Sequence, residues 1–370
     1  MGRCHNSRNA LRIRAGLRSA KMSHRYRSSI VPVVLLALVA CQTGETGSEA
    51  AAASTTPDTA TVRSAAPGRA TAPLDSATLA RVPNELGRIP LMEYHLIGDK
   101  EGRYERSRER FRQDLEILYR RGYRPVTIAQ ILDRELNLPR GLSPVVIVFD
   151  DASPGQFKYI ERDGKLEIDP ESAVGILLDF NRRYPDWENK AVFCTLSGAA
   201  AGRSFFGEKD IEGQKSEWRF PKVRFLAENG FELCNHTLWH ARLDRYPDDV
   251  VQEQIARGQL AIDSAVPGYK VRSFALPLGM WPKNRELARR GSWTDPKTGR
   301  VVRYDNEAIL EVSGGPTRSP HDPQFNPLSM TRTEVFGEEL EKTLDRLDRT
   351  GTRYVSDGDP NAVARPQQGN

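Results

Sequence analysis

Apolar positions along this chain follow two alternating periods. Short apolar runs end in polar or turn residues: "IPLMEYH" (Ile89 to His95), "VVIVFDD" (Val145 to Asp151), "AVFCTL", "FELCN", "VRSFALPLG", "NEAILEV" and "TRYVSDG". Such runs suit strands covered on both faces. Between them the apolar residues recur every three or four positions. "SRERFRQDLEILYRRGY" carries Phe111, Leu115 and Leu118 at helical spacing and stops at Gly122. "PVTIAQILDREL" follows, and "DPESAVGILLDFNRRYP" predicts a helix with Asp169 as its cap. "PKVRFLAENG", "DDVVQEQIARGQLAIDSAV", "NRELARRG" and "GEELEKTLDRLDRTG" predict more. "FKYIERDGKLEID" reads as a hairpin turning at Asp163-Gly164. Strands alternating with helices through at least six units predict an α/β fold, with a largely parallel sheet closed into a barrel.

The ends of the chain carry different patterns. "MSHRYRSS" from Met22 is basic, and "IVPVVLLALVA" (Ile30 to Ala40) is an apolar run too short to span a bilayer comfortably. It runs into Cys41, and the pattern resembles a bacterial lipoprotein signal, with cleavage before Cys41 and lipid on its thiol. Residues 1–41 are therefore expected to be a basic extension and signal, and 42–88, rich in Ala, Ser, Thr, Pro and Gly, a disordered tether. Residues 89–358 are expected to form the folded domain, and 359–370 a tail. The expected location is the cell envelope, lipid-anchored, or otherwise secreted.

Charge changes the picture once it is located. The net charge is +5, but residues 1–41 hold eight basic residues and no acid, which leaves −3 for the rest. A basic nucleic-acid-binding body is excluded. Cys194 and Cys234 lie in apolar runs and read as small buried hydrophobes, with a disulfide as the other possibility.

Candidate chemistry collects at the strand ends, where α/β barrels build their sites. Four histidines remain after residue 40: His95, His236, His240 and His321. The first ends "IPLMEYH", and the next two lie in "NHTLWH" after "FELCN". If that stretch is helical, His236 and His240 share a face and grip one ion. With one carboxylate they suit Zn²⁺ or Fe(II). The doublet Asp150-Asp151 supplies a ligand and a base beside it.

These motifs resemble the polysaccharide deacetylases, the NodB-homology group of carbohydrate esterase family 4. "FDDAS" resembles the T-F-D-D-G motif, "HTLWH" the H-[ST]-x-x-H motif, "FALPLG" the motif ending P-[YF]-G, and "IPLMEYH" the opening strand. The resemblance covers about Ile89 to Gly358. It implies a distorted (β/α)₇ barrel and removal of N-acetyl groups from an envelope or extracellular polysaccharide. Asp150 would be the base. Asp151, His236 and His240 would hold Zn²⁺ or another divalent transition metal. An N–H near Leu278 or Gly279 would face the oxyanion. The family's late acid histidine has no clear match. The Tyr94-His95 pair and Ala275, standing where the family has arginine, point to the exopolysaccharide branch. His95 is then the implied acid, with His321 as runner-up. Trp239, Trp281, Phe205 and Phe206 are candidates for stacking on sugar. The stretch Gln156 to Asn189 is an insertion, read as a lid, a sugar-contacting hairpin or a decorated loop. Two other functions fit the same residues: a C–N hydrolase of small amides or imides, and a non-catalytic glycan-binding lipoprotein.

Overall fold

The computed structural model describes residues 76–199 and 203–365. The signal-like segment and most of the expected tether lie outside these residues. Seven parallel strands close into a barrel: β1 (Leu91–Tyr94), β2 (Ser143–Asp150), β3 (Val192–Thr195), β4 (Glu232–Asn235), β5 (Ser273–Ala275), β6 (Ala308–Gly314) and β7 (Met330–Glu334). Neighbours pair in chain order, and β7 returns to β1. The expected distorted (β/α)₇ barrel is the observed architecture. A short strand, Tyr123–Pro125, extends the sheet beside the start of β2.

Strand β2 shows how the barrel orders its two faces. Val145, Ile147 and Phe149 turn outward and pack with Phe111, Leu115 and Leu118 of helix α1 (Arg108–Arg120). Val146 and Val148 turn inward, onto Val192, Cys194, Cys234 and Leu310. Alternation therefore sends Asp150 into the barrel interior at its C-terminal end. Helices α2 (Ala173–Arg183), α3 (Arg219–Glu228), α4 (Asp248–Ala265) and α5 (Glu339–Arg349) complete the helical elements of eight or more residues. No helix among the described residues is long and apolar enough to cross a membrane.

Several elements depart from the sequence reading. "TRYVSDG" is not the last barrel strand. Arg353 and Val355 make only isolated bridges, to Arg88 and Asn84. The seventh strand is β7, whose inward positions after Met330 are Arg332 and Glu334, so it lacks an apolar run. Helix α2 is capped by Ser172, whose hydroxyl accepts from the Gly175 N–H, rather than by Asp169. "NRELARRG" gives one helical turn (Glu286–Arg289), then a hairpin of Arg290–Thr294 against Val301–Asp305 packed on α4. The Asp163-Gly164 hairpin forms as expected, with φ of 51° and 72° at the turn. Packed structure also begins upstream of Ile89: Ser76–Leu79 is helical, and Glu85 is buried.

Cys194 and Cys234 are joined in a disulfide. The preferred reading of two free hydrophobes is corrected by register. The two residues stand directly opposite each other on β3 and β4, both facing the interior.

Candidate active site

The two carboxylates reach one site through a turn that most side chains avoid. Asp151 and Ala152 both have left-handed backbones, with φ of 77° and 48°. Each such residue costs on the order of 1–2 kcal/mol. The turn is held by Phe206 N–H on the Ala152 carbonyl at 3.0 Å and by Gln156 Nε2 on the Asp150 carbonyl at 2.6 Å. Gln156 Nε2 also reaches the His95 carbonyl at 2.5 Å, tying the ends of β1 and β2 together. The carboxylate after Asp150, which a continuing strand would point outward, is thereby brought back to the barrel mouth.

The histidines converge by a similar device, not by a helix. Thr237 and His240 have φ of 72° and 65°. Asn235 Oδ1 accepts from Thr237 N–H at 2.9 Å, and Thr237 Oγ1 accepts from His240 N–H at 3.1 Å. The expectation of a helical H-x-x-x-H face is corrected: this tight turn aims both rings inward. His236 Nδ1 lies 2.9 Å from the Ala275 carbonyl, so in the neutral imidazole that nitrogen carries the proton and Nε2 the lone pair. Burial lowers its pKa, but Asp150 and Asp151 outweigh it and hold the ring above its ordinary value. That Nε2 is 3.5 Å from Asp151 Oδ1, and His240 Nε2 is 3.5 Å from the same oxygen. Asp151 Oδ1 is buried without a hydrogen-bond partner. The three ligand atoms lie within 4.8 Å of one another. Two imidazole nitrogens and an unpartnered carboxylate oxygen fit a divalent transition metal.

Electrostatics separates the two aspartates. Burial pushes both carboxyls up, but nearby cations outweigh it and hold both below the usual range. For Asp150 the largest opposing group is Arg332, then His236; for Asp151 it is His236. Arg332 Nη1 is 2.9 Å from Asp150 Oδ1, whereas Arg203 Nη1 is 3.1 Å from Asp151 Oδ2. Burial pushes His240 down to about 4, helped by His236, so its imidazole is neutral. Burial also lowers His95. Burial raises Glu93, and the nearby Asp150 raises it further, against the pull of Arg332. Glu93 Oε1 lies 3.5 Å from His95 Nε2.

Both aspartates, His236, His240, His95, Glu93 and Arg203 line a cavity of about 350 Å³ with Tyr104, Arg103, Leu278, Val312 and Glu334. It contains His95 but not His321. The runner-up acid is corrected: Thr317–Arg318 runs antiparallel to Arg88–Ile89, back toward the start of the barrel, and leaves His321 beside Glu85 and Arg134. Leu278 lines the cavity with φ of 57°. The Gly279 N–H does not serve there, because it donates to the Leu276 carbonyl at 3.0 Å. Trp281 is not at the cavity; its ring is covered by the Arg285 guanidinium at 3.7 Å. Phe205 and Phe206 are buried against Phe220 and Phe157. Residues 157–189 line neither this cavity nor the adjoining larger one. They form the hairpin and α2, an ordinary decorated connection.

Trp239 lines that larger cavity, of about 630 Å³, which shares Arg203 and His240 with the first. Glu93, Gln156, Arg203 and Arg332 were not foreseen. Only Glu93 left a signal, as a lone carboxylate inside the apolar run "IPLMEYH".

Residues 189–291 match the polysaccharide deacetylase family, a span containing His236, His240 and Leu278. No curated protein matches. Solved structures similar to this chain include a Streptococcus pyogenes deacetylase, PplD, in complex with acetate. It is 15% identical with a TM-score of 0.49, over 70% of this chain and 97% of that one. IcaB from Ammonifex degensii is 18% identical with a TM-score of 0.49, over 70% and 96%. A polysaccharide deacetylase from Bacillus cereus is 16% identical with a TM-score of 0.48, over 70% and 68%. The matched span supplies both histidines of the site, and the aspartate pair meets them at the mouth of the seven-stranded barrel.

Proposed function

We propose that this protein is a metal-dependent hydrolase that removes N-acetyl groups from an envelope or extracellular glycan. One observation carries the metal dependence: a buried, unpartnered Asp151 Oδ1 faces two imidazole Nε2 atoms at 3.5 Å. Asp151, His236 and His240 would hold the ion, with Zn²⁺ the best fit to their donor set. When bound, such an ion supplies Lewis acidity, polarising the acetamide carbonyl and acidifying water.

The residues around it divide the remaining work. Asp150, kept anionic by Arg332, accepts a proton from the attacking water. The Leu278 N–H, on the cavity wall, is the candidate donor to the tetrahedral oxyanion. His95 gives a proton to the departing amine. The C–N bond breaks, acetate leaves, and the free amine stays on the glycan.

Export and lipid anchoring at Cys41 belong to the same reading. The "LVAC" junction supports them. The Cys194–Cys234 disulfide also suits an oxidising compartment outside the cytosol.

The test is acetate release from N-acetylglucosamine oligomers by the zinc-loaded protein, against Asp150→Asn. The substitution is expected to lower kcat by about 10²–10⁴-fold. An unchanged rate would overturn the mechanism. Equilibrium dialysis of wild type and Asp151→Asn against Zn²⁺ tests the metal separately, with binding expected only in wild type.

A further inference from the structure

Glu93 is a buried carboxyl at the catalytic cavity that the chemistry above leaves idle. It stands on β1, and His95 follows two residues on. Met92 and Tyr94 pack in the outer layer, so alternation turns Glu93 and His95 to the inner side, where both line the cavity. The Glu93 side chain is fully covered, and neither of its oxygens has a hydrogen-bond partner. A carboxyl so placed keeps its proton unless a cation claims it.

The cation is aimed elsewhere. Arg332 Nη1 donates to Asp150 Oδ1 at 2.9 Å, whereas its Nη2 stands 3.2 Å from Glu93 Oε1 without a hydrogen bond. Two neighbouring carboxyls with one cation keep a proton between them. Burial raises the Glu93 carboxyl well above the usual range; Arg332 opposes this, and Asp150 and Glu334 reinforce it. His95 has the opposite difficulty. Burial lowers its pKa against the pull of Asp150 and Asp151, so its ring is neutral near neutral pH. A neutral imidazole can give its one N–H proton only if its other nitrogen takes one up. Glu93 Oε1 stands 3.5 Å from His95 Nε2, a gap of the kind that closes when substrate binds. Glu93, His95 and Asp150 each bring one polar atom within 4.8 Å of the other two.

We infer that Glu93 is a positioning residue for proton transfer, which links the base to the acid by orienting His95 and refilling it with a proton. The inference rests on the deacetylase reading above. As the C–N bond breaks, the amine nitrogen takes the proton of His95 Nδ1, and Nε2 takes the proton of the Glu93 carboxyl. Asp150, which holds the proton of the attacking water, passes it to Glu93. Asp150 is then again a carboxylate, Glu93 a carboxylic acid and His95 a neutral imidazole. Water has lost one proton, the amine has gained one, and the transfer runs inside the barrel.

Glu93→Gln keeps the size of the side chain and removes its acidic proton. In the zinc-loaded variant, kcat on an N-acetylglucosamine trimer is expected to fall about 10²-fold, with KM and Zn²⁺ affinity near wild type. On para-nitrophenyl acetate, whose phenolate leaves without a proton, the loss should be far smaller. Infrared difference spectra of wild type against Glu93→Gln at neutral pH should show the band of a protonated carboxyl, shifted in heavy water. An unchanged kcat on the trimer, or the absence of that band, would overturn the relay and leave the deacetylase reading standing. Equal losses on amide and ester, or a loss of Zn²⁺ affinity, would do the same by reducing Glu93 to a structural residue. Absence of acetate release by wild type from any N-acetylated sugar would overturn the deacetylase reading and the relay with it.

Discussion

Arg332 buries its whole guanidinium between Asp150 and Glu93, 2.9 Å from Asp150 Oδ1 and 3.2 Å from Glu93 Oε1. Its Nε donates to the Glu311 carbonyl at 2.8 Å, fixing the plane of the group. Three adjacent strands, β7, β1 and β2, thus contribute one buried charge cluster. The cation beside the base comes from β7.

Removing that cation should be severe. Arg332→Met leaves two buried carboxylates without their counter-charge, a loss of roughly 3–5 kcal/mol. The Asp150 carboxyl should also rise, leaving less of the base ionised. The expected outcome is a lower urea midpoint together with a lower kcat. Adding Glu93→Leu to Arg332→Met should recover part of the stability, because the pair is then removed instead of broken. A double variant no more stable than Arg332→Met would show that the pair is not coupled.

This cluster also explains which parts of the fold were legible. Six barrel strands were readable because burial on both faces demands continuous apolar runs. The seventh, "MTRTE", was not, because Arg332 and Glu334 occupy positions that elsewhere hold core residues. Function had replaced the pattern that marks a strand, and with the strand the residue paired to the base was missed. Residue type and spacing pointed to two histidines and one carboxylate, and the family resemblance picked Asp151 as that carboxylate. The geometry that assembles them was not legible, since non-glycine residues seldom take the left-handed backbone of Asp151, Ala152, Thr237 and His240. Two successive strand residues cannot face one site, so the Asp150-Asp151 pair demands a sharp turn, which left-handed Asp151 and Ala152 provide. The disulfide depended on register, which a sequence of apolar runs leaves open.

The acid assignment predicts a contrast between two histidines. His95→Gln should lower kcat by about 10²–10⁴-fold with little change in KM. His321→Gln should leave kcat near wild type, since His321 sits beside Glu85 and Arg134 and not at the cavity. Steady-state kinetics on one oligomer substrate suffices. A large loss in His321→Gln, with His95→Gln active, would reverse the assignment.

The Cys194–Cys234 bridge closes a loop between residues 40 positions apart. Chain entropy sets its stabilisation at about 4 kcal/mol. Reduction under denaturing conditions, followed by refolding with the thiols blocked, should lower the urea midpoint accordingly. Both sulfurs lie in the fully buried barrel interior, so dithiothreitol should react slowly with the native protein. Rapid reduction without denaturant would show that the barrel opens at this seam.

A pH dependence of stability follows from Lys222. Its side chain is buried in α3, and its Nζ donates to the Phe206 carbonyl and to Gln214 Oε1, each at 2.7 Å. Burial pushes its pKa down to about 7 from the usual 10.5, and the nearby Lys158 pushes the same way. Between those values the unfolded chain binds more protons than the folded one, so stability must rise with pH. Below about 7 both states carry the charge, and the folded state bears the full penalty. Urea unfolding from pH 6 to 9.5 should therefore show a midpoint that climbs above neutrality, before the buried tyrosines begin to oppose it. Lys222→Met should flatten this climb, although it removes the Lys222 donor from the Phe206 carbonyl, leaves Gln214 Oε1 with only the Tyr159 N–H, and lowers stability overall. A variant that keeps the wild-type slope would assign the pH dependence to other groups.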